Sequence, residues 1–84
     1  MIHRASSRFW QAYEKLPAEI QQLADKNYAL WLQDSSHPSL HFKKVGKMWS
    51  ARVGLHYRTV GVEDEGTLVW FWIGHHREYD RLIG

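Results

Sequence analysis

Apolar residues in the first 34 positions recur with the period of an α-helix. Phe9, Tyr13 and Leu16 lie four and three positions apart, and a serine pair just before them supplies an N-cap. A second helical pattern runs through residues 20–34. Pro17 ends the first pattern and suits the first position of the second helix. The pattern predicts a hairpin of two helices.

Beyond residue 38 the helical period gives way to the alternation of extended strands. Four strands are predicted, at residues 40–45, 49–53, 57–62 and 68–73. The last strand is a run of six apolar residues, which predicts a central strand buried on both faces. Residues 75–83 carry Tyr79 and Leu82 three positions apart, which predicts a short closing helix.

These elements together predict an α+β fold. The N-terminal helix hairpin packs on one face of a twisted antiparallel sheet of about four strands, and the short C-terminal helix follows. The chain has 84 residues and no repeat or linker, so one domain spanning residues 1–84 is expected.

Composition narrows the classes of protein that fit this pattern. The absence of cysteine excludes a disulfide framework, a thiolate metal site and a cysteine nucleophile. Five Trp, four Tyr and three Phe supply the packing instead. The longest apolar run has six residues, a membrane span needs about 20, and no targeting segment is visible. A cytoplasmic protein without membrane contact is therefore expected.

Positive charge is concentrated in one part of the chain. The net charge is only +2, but residues 43–62 carry five basic residues and no acid. The five are Lys43, Lys44, Lys47, Arg52 and Arg58. Trp49, His56 and Tyr57 lie among them, a composition typical of surfaces that neutralise phosphates and stack bases. A solvated sheet face is the alternative interpretation.

Histidine is unusually frequent, with six residues in the chain. Its titration near neutral pH favours a role in proton transfer. A metal site is not predicted: Pro38 breaks a shared helical face for His37 and His41, and the adjacent His75 and His76 would diverge in a strand. No cofactor is predicted either.

Two sequence runs carry a resemblance to a known family. Residues 50–58 read Ser-Ala-Arg-Val-Gly-Leu-His-Tyr-Arg, and residues 70–79 read Trp-Phe-Trp-Ile-Gly-His-His-Arg-Glu-Tyr after an acidic hairpin. In this order, after the helix hairpin and a Leu-x-Phe-Lys segment, they resemble the RelE/ParE superfamily of toxins from bacterial type II toxin-antitoxin pairs. Within it the chain is most similar to a ParE-labelled subgroup ending in Ile-Gly-x-His-x-Glu-Tyr-Asp. The resemblance covers nearly the whole chain.

The resemblance implies a concave sheet face that accepts RNA in the aminoacyl site of the ribosome, where RelE-type members cut mRNA. It also implies a cognate antitoxin, encoded nearby, that covers this face. The implied partners are therefore an antitoxin and mRNA on the ribosome. Only about five residues precede the first helix, so the opening strand of the family is expected to be short or missing.

The same resemblance assigns roles by position. His76 matches the Gly-x-His histidine that some members use as general acid or base, and Arg58 matches the sheet arginine that contacts the scissile phosphate. The further matches are Arg52 and Lys43 or Lys44 at the basic strand positions, and Tyr79 near the C-terminal tyrosine.

The residue types themselves suit RNA cleavage without a metal ion, which needs an acid, a base and cations around the phosphate. Arg52 and Arg58 suit a phosphate clamp if they share a face of the sheet. An odd-numbered loop or a bulge at Gly54 gives this arrangement, and we expect it. The other candidates for RNA or phosphate contact are Lys44, Lys47, His41, His56 and Trp49.

Each assignment has an alternative. His76 fits the border of the last helix as well as catalysis, His75 fits the same chemical role, and the two arginines fit structural ion pairs. ParE-type members inhibit DNA gyrase and are not nucleases, and an inactive module that binds an antitoxin or nucleic acid fits the same fold. The combination of His76, Arg58 and the basic block favours the endoribonuclease.

Overall fold

Helices and strands follow the predicted order, with one additional strand at the start. The computed structural model describes residues 2–83. The helices are α1 (Ser7–Glu14), α2 (Ala18–Gln33) and α3 (His76–Ile83). The strands are β1 (Ile2–Ala5), β2 (Lys43–Val45), β3 (Met48–Val53), β4 (Tyr57–Asp64) and β5 (Thr67–His75). A turn of 3₁₀ helix, Pro38–Leu40, takes the place of the predicted start of β2 at residue 40.

Local sequence signals determine where the helices begin. The Ser6 side chain caps α1 by accepting a hydrogen bond from the Phe9 N–H at 3.4 Å. Pro17 is the N-cap of α2, one position before the predicted one, and its φ of −56° suits the entry to a helix. The predicted helix hairpin is therefore confirmed.

The sheet has five strands in the order β1-β5-β4-β3-β2. Strands β2 to β5 pair antiparallel as predicted, whereas β1 runs parallel to β5. The prediction of an antiparallel sheet of about four strands is thus corrected to a mixed sheet of five. The opening strand is short, as expected, but present. Its four residues lack clear hydrophobic alternation, and backbone pairing to β5 holds the strand in place. The Ser6 N–H continues this pairing by donating a hydrogen bond to the Trp70 carbonyl at 2.9 Å.

Strand β5 lies between β1 and β4, so it is an interior strand, but the middle strand of the sheet is β4. The prediction that residues 68–73 form the central strand is correct in placing them inside the sheet and wrong by one position. A register shift between Val60 and Gly61 leaves Phe71 as an extra residue on β5. Because of this bulge, the alternation of side chains between the two faces is interrupted at Phe71.

Helices α1 and α2 pack on one face of the sheet. Trp31 of α2 meets Trp70 of β5 edge to face, with ring centroids 5.8 Å apart, and Phe9 of α1 packs against the same cluster. Val53 is buried on this face in a second cluster. Because side chains alternate along a strand, Arg52 points to the opposite face, which α3 borders.

The loop between β3 and β4 depends on a glycine. Gly54 has φ +67°, and a Cβ at this position would lie 2.5 Å from Leu23 Cδ2. Gly46, in the turn between β2 and β3, has a similar φ of +61°, but a Cβ there would have no atom within 4 Å. We expect Gly46→Ala to lower the free energy of unfolding by about 1 kcal/mol through backbone strain. Gly54→Ala should lower it by about 2–3 kcal/mol, since Leu23 must also move. Urea denaturation measures both; equal losses would contradict the contact with Leu23.

Candidate functional site

Arg52 and Arg58 face each other across neighbouring strands. They are register partners in the antiparallel pair of β3 and β4, which places their side chains on one face of the sheet. The loop between the strands, residues 54–56, has an odd number of residues. The expectation that both arginines share a face is therefore confirmed.

The arginine pair lies in a cleft of about 280 Å³ between the sheet and α3. The residues that line it include His41 and Lys43 near β2, Ser50, Arg52 and Arg58 on the sheet, and His76, Tyr79 and Asp80 on α3. The cleft thus gathers side chains from four separate segments of the chain.

The cations of the cleft are held close together. Burial, and then the charge of Arg52, lower the pKa of Arg58, while Tyr79 and Asp80 act in the opposite direction. Arg58 Nη1 donates to the Tyr57 carbonyl at 2.9 Å, which orients the guanidinium. The buried Nε of Arg52 has no hydrogen-bond partner among residues 2–83. Two guanidinium groups of like charge, with a donor that has no partner, form a site that favours binding of an anion, because the anion offsets the repulsion and accepts hydrogen bonds.

His76 is the first residue of α3, and its position is set by the backbone. Its N–H donates to the His56 carbonyl at 2.7 Å, which ties the start of α3 to the loop between β3 and β4. Tyr79 lies three positions later, on the same side of the helix, and is buried. The structure therefore brings together the four residues that the resemblance proposes as catalytic: His76, Arg58, Arg52 and Tyr79.

The candidates for RNA contact divide into two groups. Lys43 and His41 line the cleft. Lys44 is the next residue of β2, so its side chain points to the other face, and Lys47 lies in the turn before β3. His56 lies in the loop next to the start of α3, outside the cleft lining.

Trp49 is turned away from the cleft. Its ring stacks on Phe42 at a centroid distance of 4.7 Å, and its Nε1 donates to a Glu63 carboxylate oxygen at 3.3 Å. It packs against the buried cluster below α2. Tyr57, the other aromatic candidate for base stacking, packs with the second core cluster. The structure therefore places both rings in the packing of the helix-covered face.

Ser50 and Asp80 also line the cleft, although neither was predicted as a site residue and Asp80 was considered only as an ion-pair partner of the arginines. Both carry a simple signal. Ser50 is two residues before Arg52 on β3, and Asp80 is four residues after His76 on α3, so each shares a face with a residue already chosen.

His75 and His76 do not diverge, contrary to the expectation from the sequence. Strand β5 ends at the first and α3 begins at the second, and this change of direction brings the rings to a centroid distance of 4.5 Å. Burial, followed by the charges of His76, Arg77 and His56, lowers the pKa of His75. Its Nδ1 accepts a hydrogen bond from the Arg77 N–H at 3.2 Å.

No family model matches the sequence, and no curated protein matches it either. Solved structures do match. A RelB-RelE antitoxin-toxin complex from Methanococcus jannaschii contains a chain that superposes with a TM-score of 0.71 at 15% identity, over 100% of both chains. The chain has the RelE/ParE toxin fold.

Two further structures share the RelE/ParE fold. The YoeB/ParE toxin from Agrobacterium tumefaciens matches with a TM-score of 0.67 at 15% identity, over 90% of this chain and 99% of the other. A double mutant of the Escherichia coli toxin RelE in the free state matches with a TM-score of 0.66 at 11% identity, over 94% and 86%. None of the helices within residues 2–83 has the length and apolar character that crossing a membrane requires.

Proposed function

We propose that this protein is the toxin of a type II toxin-antitoxin pair and that it cleaves mRNA on the ribosome. The single observation that carries the proposal is the cleft that holds Arg52, Arg58 and His76 together on the open face of a RelE/ParE fold. Arg52 and Arg58 meet as register partners of two neighbouring strands, and the packing of α3 against the sheet brings His76 to them. They supply the cations and the proton-transfer group that cleavage of RNA requires.

The reaction proposed is attack by a ribose 2′-oxygen on the adjacent phosphorus. The bond from phosphorus to the 5′-oxygen breaks, which leaves a 2′,3′-cyclic phosphate and a 5′-hydroxyl. A base removes the proton of the 2′-hydroxyl, and an acid donates a proton to the departing 5′-oxygen. His76 takes one of these roles. His41, the second imidazole of the cleft, takes the complementary role from the β2 side.

The remaining residues bind and position the RNA. Arg58 and Arg52 hold the scissile phosphate, and Lys43 holds a phosphate next to it. Tyr79, buried at the wall of the cleft, orients the substrate. Lys44, Lys47 and His56 lie outside the cleft and attract the flanking parts of the RNA or the ribosomal RNA around it.

A cognate antitoxin is the proposed protein partner of this chain. The matched Methanococcus structure is an antitoxin-toxin complex. An antitoxin with acidic side chains at the arginine pair would neutralise the unmet charge of the cleft and exclude RNA from it. A small protein encoded next to this chain is the natural candidate, and co-purification tests it.

The experiment maps the 5′ ends of a defined mRNA in a translating extract with added protein. We expect new 5′ ends with the wild type. His76→Asn should form them about 100-fold more slowly, because an acid or base is lost. His37→Asn is the matched control, since His37 caps the 3₁₀ turn and asparagine caps equally well.

The same extract separates the competing functions. Intact mRNA combined with altered DNA supercoiling would support the ParE-type gyrase inhibitor. Intact mRNA and unchanged supercoiling, with retained binding to the antitoxin, would support an inactive binding module. Equal cleavage by the wild type and His76→Asn would exclude His76 as the acid or base.

A further inference from the structure

Three histidine side chains meet beside the cleft. One ring nitrogen from each of His56, His75 and His76 lies within 4.8 Å of one from each of the others. The rings of His56 and His75 are nearly parallel, 5° apart at a centroid distance of 6.1 Å, and the ring of His76 lies 6.1 Å from that of His56. Three potential ligand atoms therefore lie close to one another. The proposed ribonuclease uses one of them and leaves the other two without an assigned catalytic role.

The backbone holds this cluster together. His75 ends β5, His76 begins α3, and the His76 N–H bonds to the carbonyl of His56 in the loop between β3 and β4. The positions of the three Cα atoms are thus set by a strand, a helix and a hydrogen bond between two segments. Only the side-chain torsions remain to adjust. His56 is exposed and the other two histidines are half-buried, so the rings have room to turn.

Imidazole nitrogen is a preferred ligand of zinc and its neighbours in the first transition row. In a tetrahedral site with Zn–N bonds of about 2.0–2.1 Å, ligand nitrogens lie about 3.4 Å apart. The present spacing of up to 4.8 Å is wider than that value, so coordination requires the rings to rotate towards one another. Three histidines leave a fourth position for water, an arrangement that zinc proteins use.

One existing contact opposes coordination. The Nδ1 of His75 accepts a hydrogen bond from the Arg77 N–H. If Nε2 of His75 binds the metal ion, Nδ1 carries the proton and cannot accept this hydrogen bond. If Nδ1 binds the metal ion, its lone pair is occupied, so the hydrogen bond is lost in both cases. Arg77 also adds a positive charge near the cluster. The backbone N–H of Arg77 lies in the first turn of α3, where a water molecule can accept its hydrogen bond in place of His75.

We propose that His56, His75 and His76 bind a zinc ion, and that the bound ion withdraws His76 from the neighbouring cleft. The inhibition rests on the proposed function, because it requires His76 to act as the acid or base; zinc binding does not depend on it. A metal-bound imidazole nitrogen has no free lone pair to accept a proton and no proton to donate. Zinc at this cluster would therefore switch off the same side chain that the cleft uses.

Zinc binding is tested by calorimetric titration of the full chain with ZnCl₂, with MgCl₂ as the comparison ion. We expect saturable binding of one zinc ion per chain and none of magnesium. His56→Asn and His75→Asn should each weaken zinc binding about 100-fold by removing one of three ligands. His37→Asn, a histidine outside the cluster, should leave it unchanged. Absence of saturable zinc binding, or full binding in both cluster variants, would overturn the site.

The inhibition is tested in the mRNA cleavage experiment with and without saturating zinc. We expect zinc to slow cleavage by the wild type at least about 10-fold, since acid-base catalysis is lost. In His56→Asn the ratio of rates with and without zinc should stay near one. A zinc-loaded wild type that cleaves at its full rate would overturn the inhibition. A chain that binds zinc at the three histidines but never cleaves RNA would contradict the proposed function and support the metal site.

Discussion

Arg58→Gln is expected to slow ribosome-dependent mRNA cleavage by about 100- to 1000-fold, because it removes a preorganised cation from the developing charge on the phosphate. Glutamine keeps most of the stem that packs in the cleft, so the change tests the charge and not the volume. The measurement is the rate at which new mRNA 5′ ends form at saturating protein. A loss of less than tenfold would exclude Arg58 as the main phosphate contact.

The same variant should not be less stable than the wild type. Burial and the charge of Arg52 lower the pKa of Arg58 in the folded chain, which means that folding disfavours the charged form relative to the unfolded chain. A neutral side chain relieves this penalty, so the melting temperature is expected to stay equal or rise. Arg4→Gln, at an exposed position on β1, is the matched control for both measurements. A large fall in melting temperature would show that the lost activity reflects unfolding.

Leu68→Ala is expected to lower the free energy of unfolding by about 3–5 kcal/mol. Leu68 is 0% exposed and belongs to the cluster formed by Trp31, Leu40 and Trp70, so the missing methyl groups leave a cavity between β5 and α2. The free energy of unfolding of a native domain is about 5–15 kcal/mol in total, and a chain of this size has a small core. The variant should therefore be close to unfolding at 37 °C.

Urea denaturation measures this loss, with Leu55→Ala as the control. Leu55 is 77% exposed in the loop between β3 and β4, and its truncation should change the stability by no more than about 0.5 kcal/mol. Leu68→Val should fall between the two, at about 1 kcal/mol. Equal effects of the two alanine substitutions would contradict the position of Leu68 in the core.

The part of the fold that follows from local pattern was predictable. Local sequence is enough to predict the capping of α1 and the helical spacing of Phe9, Tyr13 and Leu16, because both depend only on residues within a few positions of each other. Strand β1 was underestimated because four residues without clear alternation acquire their extended form from pairing with β5. The same applies to the position of β5, since the order of strands in a sheet is set by pairing between distant segments.

The candidate site shows the same division. The shared face of Arg52 and Arg58 follows from the two-residue period of strands and a three-residue loop, both visible in the sequence. The packing of Trp49 on Phe42 is different, because it depends on which face of β3 the helices cover.

The sequence by itself determined the elements, the basic strands and the relative orientation of neighbouring side chains, because periodicity along a helix or strand is a local property of the backbone. Only the tertiary structure decided that α3 borders the arginine pair and that His56 meets His75 and His76. Those contacts join residues far apart in the chain. Their geometry arises from how α3 and the loop pack against the sheet, which no local pattern specifies.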